Sequence, residues 1–188
     1  MIKLASLIGT IIIGATLLFF FYTGMFDRIE LSRESRGPYN LVYREYQGPR
    51  SGVRYVMNTV YRYVRDTLHL ESGTGFVIFY DDPLSGIEKG SRCICGVVVD
   101  SCPEVAVPYK TGVFRRTEAV VGSVKLRSFF SYTIGGSRFY YRLTKLLAEK
   151  NETRTGPVLE LYEMKQKRIQ YVAPLDGAVA PAPAFSGK

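Results

Sequence analysis

Few side chains in this chain of 188 residues could carry out catalysis. His69 is the only histidine, and it falls at the end of a predicted helix with no nucleophile motif near it in the sequence. A hydrolytic triad needs such a base held beside a nucleophile and oriented by a third group. We therefore predict that the protein is not an enzyme and has no catalytic residues. His69 is then a capping or solvated residue.

Three cysteines are the other candidates for chemistry. Cys93 and Cys95 share one face of a predicted strand, and Cys102 follows them. Together with His69 they do not reproduce the paired spacing of a zinc site. We predict buried thiols, no metal site and no cofactor. An odd number of cysteines is also unusual for a secreted disulfide framework, which favours a reducing compartment.

The elements that must position these side chains repeat along the chain. In the first predicted helix Val56, Val60 and Val64 recur every fourth residue, which indicates one buried face. The pattern predicts an α+β fold made of two tandem strand-helix-strand-strand units. The predicted elements are strand 39–46, helix 51–68 and strands 76–80 and 92–100, then strand 114–128, helix 133–150 and strands 157–163 and 168–173.

The two units predict a site at their seam. Each unit alone would leave the edges of a small antiparallel sheet open, so we expect the halves to pack together and to form a concave surface between them. The chain holds 14 tyrosines and 11 phenylalanines. A tyrosine-lined cleft and ordinary packing of sheet and helices are both consistent with that number.

The first residues predict a membrane anchor. Residues 4–26 carry no charge, and a helix of this length would cross a hydrocarbon core of about 30 Å. No small-x-small cleavage site follows, so the sequence predicts an uncleaved signal anchor. Several arginines lie just after the stretch and only Lys3 precedes it, which places the remaining chain in the cytosol by the positive-inside bias.

The predicted organisation has four parts: a transmembrane signal anchor at 1–27, a juxtamembrane linker at 28–38, the domain at 39–176, and a flexible Ala/Pro-rich tail at 177–188. Asn151 begins a glycosylation sequon and would be modified only if the domain faced the lumen. A lumenal or secreted domain is therefore the alternative topology.

The net charge of +8 and the pI near 9.4 predict attraction to anionic surfaces. Near an anionic membrane leaflet each basic residue contributes on the order of 1 kcal/mol. The basic residues are scattered, with no run of five or six, so nucleic-acid binding is not expected.

Several motifs carry a resemblance to a known family. Phe79-Tyr80-Asp81-Asp82-Pro83, followed after a loop by Arg92-Cys93-Ile94-Cys95-Gly96, resembles the GyrI-like domain of the testis-expressed protein 264 family. Tyr132-Thr133-Ile134 and Leu159-Glu160-Leu161-Tyr162, which leads to Ala173-Pro174-Leu175, are similar to the same family. With the predicted span, the resemblance covers nearly the whole chain.

The resemblance implies a single-pass protein of the endoplasmic reticulum membrane that displays its domain to the cytosol and acts in selective autophagy, with partners in the autophagy machinery. In the family this role depends on a long acidic tail bearing an aromatic-x-x-aliphatic motif. The residues after Leu175 offer no such tail. Tyr140-x-x-Leu143 has the spacing of the motif, but it lies in a predicted basic helix.

The wider fold implies an alternative function, that of a membrane-tethered small-molecule-binding protein. Some relatives bind cationic or amphipathic molecules through a carboxylate in an aromatic cleft, and a hydrolase using the same cleft is a further alternative. Glu160 and Glu163 lie on the corresponding strand, where alternation places Glu160 and Tyr162 on one face and Glu163 on the other. We predict a ligand cleft formed by Glu160, Tyr162 and Tyr80.

Overall fold

A computed structural model describes residues 2–22, 28–81, 91–127, 130–153, 156–177 and 179–183, with side chains over 8–21 in the first helix and from 134 onward in the third. The helices are α1 (Ile2–Tyr22), α2 (Arg50–Asp66) and α3 (Phe130–Glu149). The strands are β1 (Leu31–Arg36), β2 (Tyr39–Gly48), β3 (Thr74–Phe79), β4 (Ser91–Val99), β5 (Lys110–Phe114), β6 (Thr117–Lys125), β7 (Leu159–Glu163) and β8 (Arg168–Pro174).

The strands form one eight-stranded antiparallel sheet in the order β1-β6-β8-β7-β3-β4-β2-β5. β3 and β7 are the middle pair, and the pattern repeats outward on each side of them: β4, β2 and β5 on one side, β8, β6 and β1 on the other. Each half therefore holds one strand-helix-strand-strand unit, β2-α2-β3-β4 or β6-α3-β7-β8, which is the order of elements that the sequence predicts. The whole is an α+β half-barrel.

The transmembrane part of the predicted fold class is wrong. In the part of the chain that the structure describes, no helix combines the length and the apolar character needed to cross a membrane. α1 runs from Ile2 to Tyr22. Within that stretch Ile13, Leu18 and Phe21 are exposed.

Two edge strands are absent from the sequence prediction. β1 lies inside the stretch 28–38 predicted as a linker, and it pairs with β6 from Leu31 opposite Gly122 to Arg36 opposite Thr117. Its sequence is rich in charged and polar residues, so β propensity does not indicate it, and only the open edge of β6 makes it a strand. Similarly, β5 shares only Phe114 with the strand predicted over 114–128, which corresponds to β6.

Both amphipathic helices lie on the same face of the sheet, which we call the helix face. Valines at intervals of three and four residues bury one side of α2 against β2, β3 and β4; they are Val53, Val56, Val60 and Val64. In α3 the buried set packs on the other half of the sheet; it is Phe139, Tyr140, Leu143 and Leu147. Each helix thus covers one half and leaves the β3–β7 seam between them.

The opposite face, which we call the concave face, holds the largest apolar cluster. Its buried side chains alternate along the central strands with those of the helix face, as in Phe76 and Ile78 of β3 and Leu159 and Leu161 of β7. Val179, from the stretch predicted as a flexible tail, completes this core and is 7% exposed. Val179 is therefore part of the packed domain.

Candidate ligand site at the seam

The middle of the sheet places a carboxylate between the two helices. Glu160 in β7 pairs with Val77 in β3 on one side and with Tyr171 in β8 on the other. Cross-strand neighbours lie about 5 Å apart on the same face, so these three side chains form one row across the seam. Gly75 is opposite Tyr162, and a Cβ at Gly75 would be 2.8 Å from the Met57 sulfur, so α2 packs on β3 at one edge of the seam.

Glu160 is buried and accepts hydrogen bonds from two tyrosines. It is 7% exposed. The Tyr162 hydroxyl donates to Glu160 Oε2 at 2.7 Å. The Tyr140 hydroxyl, from α3, donates to Oε1 at 3.4 Å. A carboxylate in an apolar interior is costly unless such donors hold it, so these two tyrosines are what allow an acid in this position.

The surroundings of Glu160 shift its pKa in opposing directions. Burial raises the pKa of Glu160, and it outweighs the hydrogen bond from Tyr162, the positive charge of Arg50 and the hydrogen bond from Tyr140, which lower it. Burial, followed by the neighbouring Glu160 charge, also raises the pKa of Tyr162 well above its ordinary value. The Tyr162 phenol therefore remains a donor at neutral pH, and a positive charge brought close to Glu160 would stabilise its ionised form.

Aromatic rings lie beside the acid. Phe139 stacks on Tyr171 with ring centroids 4.6 Å apart, and the Tyr140 ring meets Tyr171 edge-on at 6.4 Å. On the α2 side, the Arg50 guanidinium carbon lies 4.5 Å from the centre of the Phe79 ring. The faces of such rings attract cations. The Arg50–Phe79 pair shows this attraction already in use at one edge of the site.

The structure separates Tyr80 from the other predicted cleft residues. Glu160 and Tyr162 come together as predicted, but Tyr80 follows β3 at a position whose side chain joins the concave-face cluster. Its hydroxyl donates to the carbonyl oxygen of Pro181, 2.5 Å away. The prediction failed because residue type alone does not tell which face a tyrosine just beyond the end of a strand will take. Sequence reasoning also missed Tyr140, Tyr171 and Arg50.

Of these missed residues, only Tyr140 has a sequence spacing that indicates its burial. It directly follows Phe139 and lies three residues before Leu143, a spacing that places it beside the buried face of α3. The two residues that match the aromatic-x-x-aliphatic motif are both buried, since Tyr140 is 7% exposed and Leu143 is 3% exposed. Arg50 and Tyr171 carry no comparable signal. The approach of Arg50 to Glu160 depends on how the two halves pack, and that of Tyr171 depends on the register between β7 and β8.

The remaining candidates for chemistry are the three cysteines and His69. Cys93 and Cys95 are buried, as predicted, whereas Cys102 is exposed. A hydrogen bond with Cys95, followed by burial, raises the pKa of the Cys93 thiol, so this thiol is not a nucleophile at neutral pH. His69 follows α2 in a left-handed conformation, with φ of 54°. The described residues contain no cluster of three or more His, Cys, Asp or Glu able to hold a metal ion.

Asn151, the predicted glycosylation residue, lies just beyond α3 with φ of 51° and is exposed. A left-handed conformation of this kind is one that asparagine adopts more readily than most residues. The need for a left-handed residue just after α3 therefore accounts for an asparagine at position 151. Modification at Asn151 stays a prediction, as does the lumenal topology on which it depends.

Comparisons with known proteins identify the fold. No protein-family model matches the chain, and no curated protein matches it. Among solved structures, the EcmrR C-terminal domain is similar with a TM-score of 0.61 and 12% identity, over 80% of this chain and 99% of that one. EcmrR in its DNA complex gives 0.63 and 10% identity, over 94% of this chain and 70% of that one.

SAV2435, solved with tetraphenylphosphonium bound, gives a TM-score of 0.50 at 12% identity, over 80% of this chain and 94% of that one. At these identities the likeness shows the fold alone. The fold is GyrI-like. Nothing in these matches bears on the testis-expressed protein 264 family, so membership of that family stays a prediction, as do the location in the endoplasmic reticulum and the absence of enzymatic activity.

Proposed function

We propose that this GyrI-like domain binds an amphipathic organic cation at the β3–β7 seam, with Glu160 as the partner of its positive charge. The observation that carries the proposal is the buried carboxyl of Glu160, held by the hydroxyls of Tyr162 and Tyr140 on the helix face. A fold does not need an acid at this place for stability, because an apolar residue would pack there at lower cost.

The chemistry of the site fits an organic cation better than a small inorganic one. Aromatic side chains border the carboxyl on the α3 side, and Val77 and Met57 offer apolar surface along the seam. A large cation with apolar substituents would bury those substituents and place its charge near Glu160 without strong dehydration. A structural neighbour solved with tetraphenylphosphonium supports this class of ligand.

Binding of a cation is coupled to a proton. Because burial raises the pKa of Glu160, this acid keeps its proton to a higher pH than an ordinary glutamate does. A cation binds the ionised form, so its binding releases a proton and strengthens as the pH rises through the pKa of Glu160.

The test is thermal unfolding of the full chain with tetraphenylphosphonium, from about pH 4 to about pH 8. A ligand that binds only the folded state at 100 times its Kd adds about 2.7 kcal/mol of stability. We expect stabilisation in the wild type and its loss in Glu160→Gln. Glu163→Gln is the matched control, since Glu163 lies on the same strand and is paired with Arg168.

Three results would contradict the proposal. The first is an equal shift in the wild type and in Glu160→Gln, which would mean that the cation binds elsewhere. The second is an equal shift with triphenylphosphine oxide, a neutral compound of similar shape, which would mean that only apolar contact is recognised. An absence of any shift across a panel of amphipathic cations would also exclude this ligand class.

The autophagy role rests on the resemblance in sequence and stays a prediction. The comparisons support the small-molecule reading better, because they include a neighbour with a bound organic cation. The match to the aromatic-x-x-aliphatic motif at Tyr140 and Leu143 lies in the buried face of α3 and is not free to be bound as an extended peptide.

A further inference from the structure

The segment 179–183 crosses the face of the sheet opposite to the one that carries Glu160. The segment 179–183 has the sequence Val-Ala-Pro-Ala-Pro and forms neither helix nor strand. Val179 is buried in the concave-face core, and Ala180 packs against the same core. The segment is a short proline-containing peptide lying in a defined place on its own domain.

Two hydrogen bonds hold the backbone of this segment. The Arg115 N–H donates to the carbonyl oxygen of Val179 at 3.0 Å. The Tyr80 hydroxyl donates to the carbonyl oxygen of Pro181 at 2.5 Å. Both bonds reach main-chain atoms, so they hold any peptide with the same path regardless of its side chains. Side-chain selectivity must then come from the surface beneath.

The surface beneath the segment is aromatic, except at Gly112, which has no side chain. A Cβ at Gly112 would lie 2.9 Å from Pro181 Cγ and 3.3 Å from Tyr43 Cε1, so the proline ring rests over Gly112 beside the Tyr43 ring. Tyr39 and Phe114 continue the aromatic surface, with ring centroids 6.2 Å apart. We call this surface the proline groove; its residues are Tyr39, Tyr43, Tyr80, Gly112 and Phe114.

These features match a known mode of peptide recognition. Proline residues lose little conformational entropy on binding because their φ is already restricted, and aromatic-lined grooves exploit this by packing on the ring and donating hydrogen bonds to neighbouring carbonyls. We infer that the proline groove is a binding site for a short Ala/Pro-rich peptide of another polypeptide, and that the chain's own segment 179–183 occupies it in competition.

Competition from the internal segment determines how strongly an added peptide can bind. β8 ends at Pro174, and the Glu118 N–H donates to Asp176 Oδ2 at 3.0 Å, so the chain is anchored only a few residues before Val179. A segment on so short a linker acts at an effective concentration of about 1 mM or more. A peptide of the same sequence therefore binds the wild-type chain weakly, and binds readily once the internal segment is released.

The test uses a fluorescent peptide with the sequence of residues 176–185 and the full chain carrying Val179→Asp and Pro181→Gly, the tail-released variant. Fluorescence anisotropy measures binding. We expect saturable binding to the tail-released variant and at least about tenfold weaker binding to the wild type. Adding Tyr80→Phe to the tail-released variant removes one hydrogen bond and weakens binding by about fivefold.

Two controls address specificity and folding. A peptide with glycine in place of both prolines should bind at least about fivefold more weakly. Each variant is checked by circular dichroism and by a cooperative thermal transition. A second variant, ending at Gly177, releases the groove by removing the segment instead of changing it, and it should bind the peptide like the tail-released variant.

Several results would overturn the inference. They are no saturable binding to either folded variant, equal binding to the wild type and the variants, and failure of both variants to fold, which would make the segment an integral part of the core. Binding of the wild type's own segment to a tail-released copy, seen as a mixed dimer by size-exclusion chromatography, would support it and identify a second copy as the partner.

The proline groove and the Glu160 site can be tested separately because they lie on opposite faces of the sheet. Glu160→Gln should leave peptide binding to the tail-released variant unchanged. Tyr80→Phe should leave the stabilisation by tetraphenylphosphonium unchanged. The failure of one proposal would therefore leave the other standing.

Discussion

The Tyr162 hydroxyl lies 2.7 Å from Glu160 Oε2, two residues earlier on the same strand. Residues i and i+2 of a strand share a face, and β7 uses this spacing to supply a buried acid and its hydrogen-bond donor from one short segment. Since β7 is one of the two middle strands, the pair lies where the two halves of the domain meet.

Removing this donor should change the pH dependence of cation binding. In Tyr162→Phe the hydrogen bond that lowers the pKa of Glu160 is lost, so that pKa rises further. We expect the midpoint of the binding profile with tetraphenylphosphonium to move to higher pH. Tyr140→Phe removes the longer bond of 3.4 Å and should have the smaller effect. A midpoint that stays in place or moves down in Tyr162→Phe would contradict the assignment.

Glu160 should also make the unliganded protein less stable as the pH rises. Its folded pKa is raised above the ordinary value near 4.5, so the folded state holds this proton more tightly than the unfolded state. Its stabilising contribution is present below the unfolded pKa and is lost as the pH rises through the folded pKa, at about 1.4 kcal/mol for each unit of elevation.

Glu160→Gln isolates this effect, because glutamine resembles the protonated acid at every pH. We expect the variant to match the wild type at low pH and to exceed its stability near neutral pH, in urea unfolding across the range. Carboxylates with lowered pKa values, such as Asp81, contribute with the opposite sign and cancel in the comparison. A stability difference that does not depend on pH would mean that Glu160 has no raised pKa.

Gly96, the last residue of the Arg92-Cys93-Ile94-Cys95-Gly96 motif, should be required for the close pairing of β4 with β2. A Cβ at Gly96 would lie 2.0 Å from the carbonyl oxygen of Val42, a backbone atom of the paired strand that cannot move aside. Gly96→Ala should cost about 3 kcal/mol in denaturant unfolding. Gly136→Ala is the control, since the Cβ there would meet Tyr171 Oη at an ordinary 3.5 Å.

In the helix, Gly136→Ala should instead be neutral or stabilise by up to about 1 kcal/mol. Equal denaturation midpoints for the two alanine variants would show that β4 and β2 are far enough apart at Gly96 to accept a Cβ.

The cysteines should differ in reactivity according to burial. Cys102 is exposed, whereas Cys93 and Cys95 are buried and the pKa of Cys93 is raised. In a thiol titration with a disulfide reagent we expect one fast-reacting group in the folded protein and all three after unfolding. Cys102→Ser should abolish the fast phase. A persistent fast phase in that variant would place Cys93 or Cys95 within reach of solvent.

Local patterns in the sequence determined the regular elements of the domain. The valines of α2 recur at helical spacing because one side of that helix is buried, and Glu160 and Tyr162 share a face because strand geometry alternates. Both features depend on neighbours in the chain, so they are visible before the tertiary structure is known.

The tertiary structure decided what depends on pairing between distant segments. β1 is a strand only because the edge of β6 is open, and Tyr80 belongs to the concave face and not to the Glu160 site. The segment 179–183 has the composition of a flexible tail, yet it is held by Arg115 and Tyr80. Composition reports what a segment can bury by itself, whereas its place in the fold depends on surfaces that other segments provide.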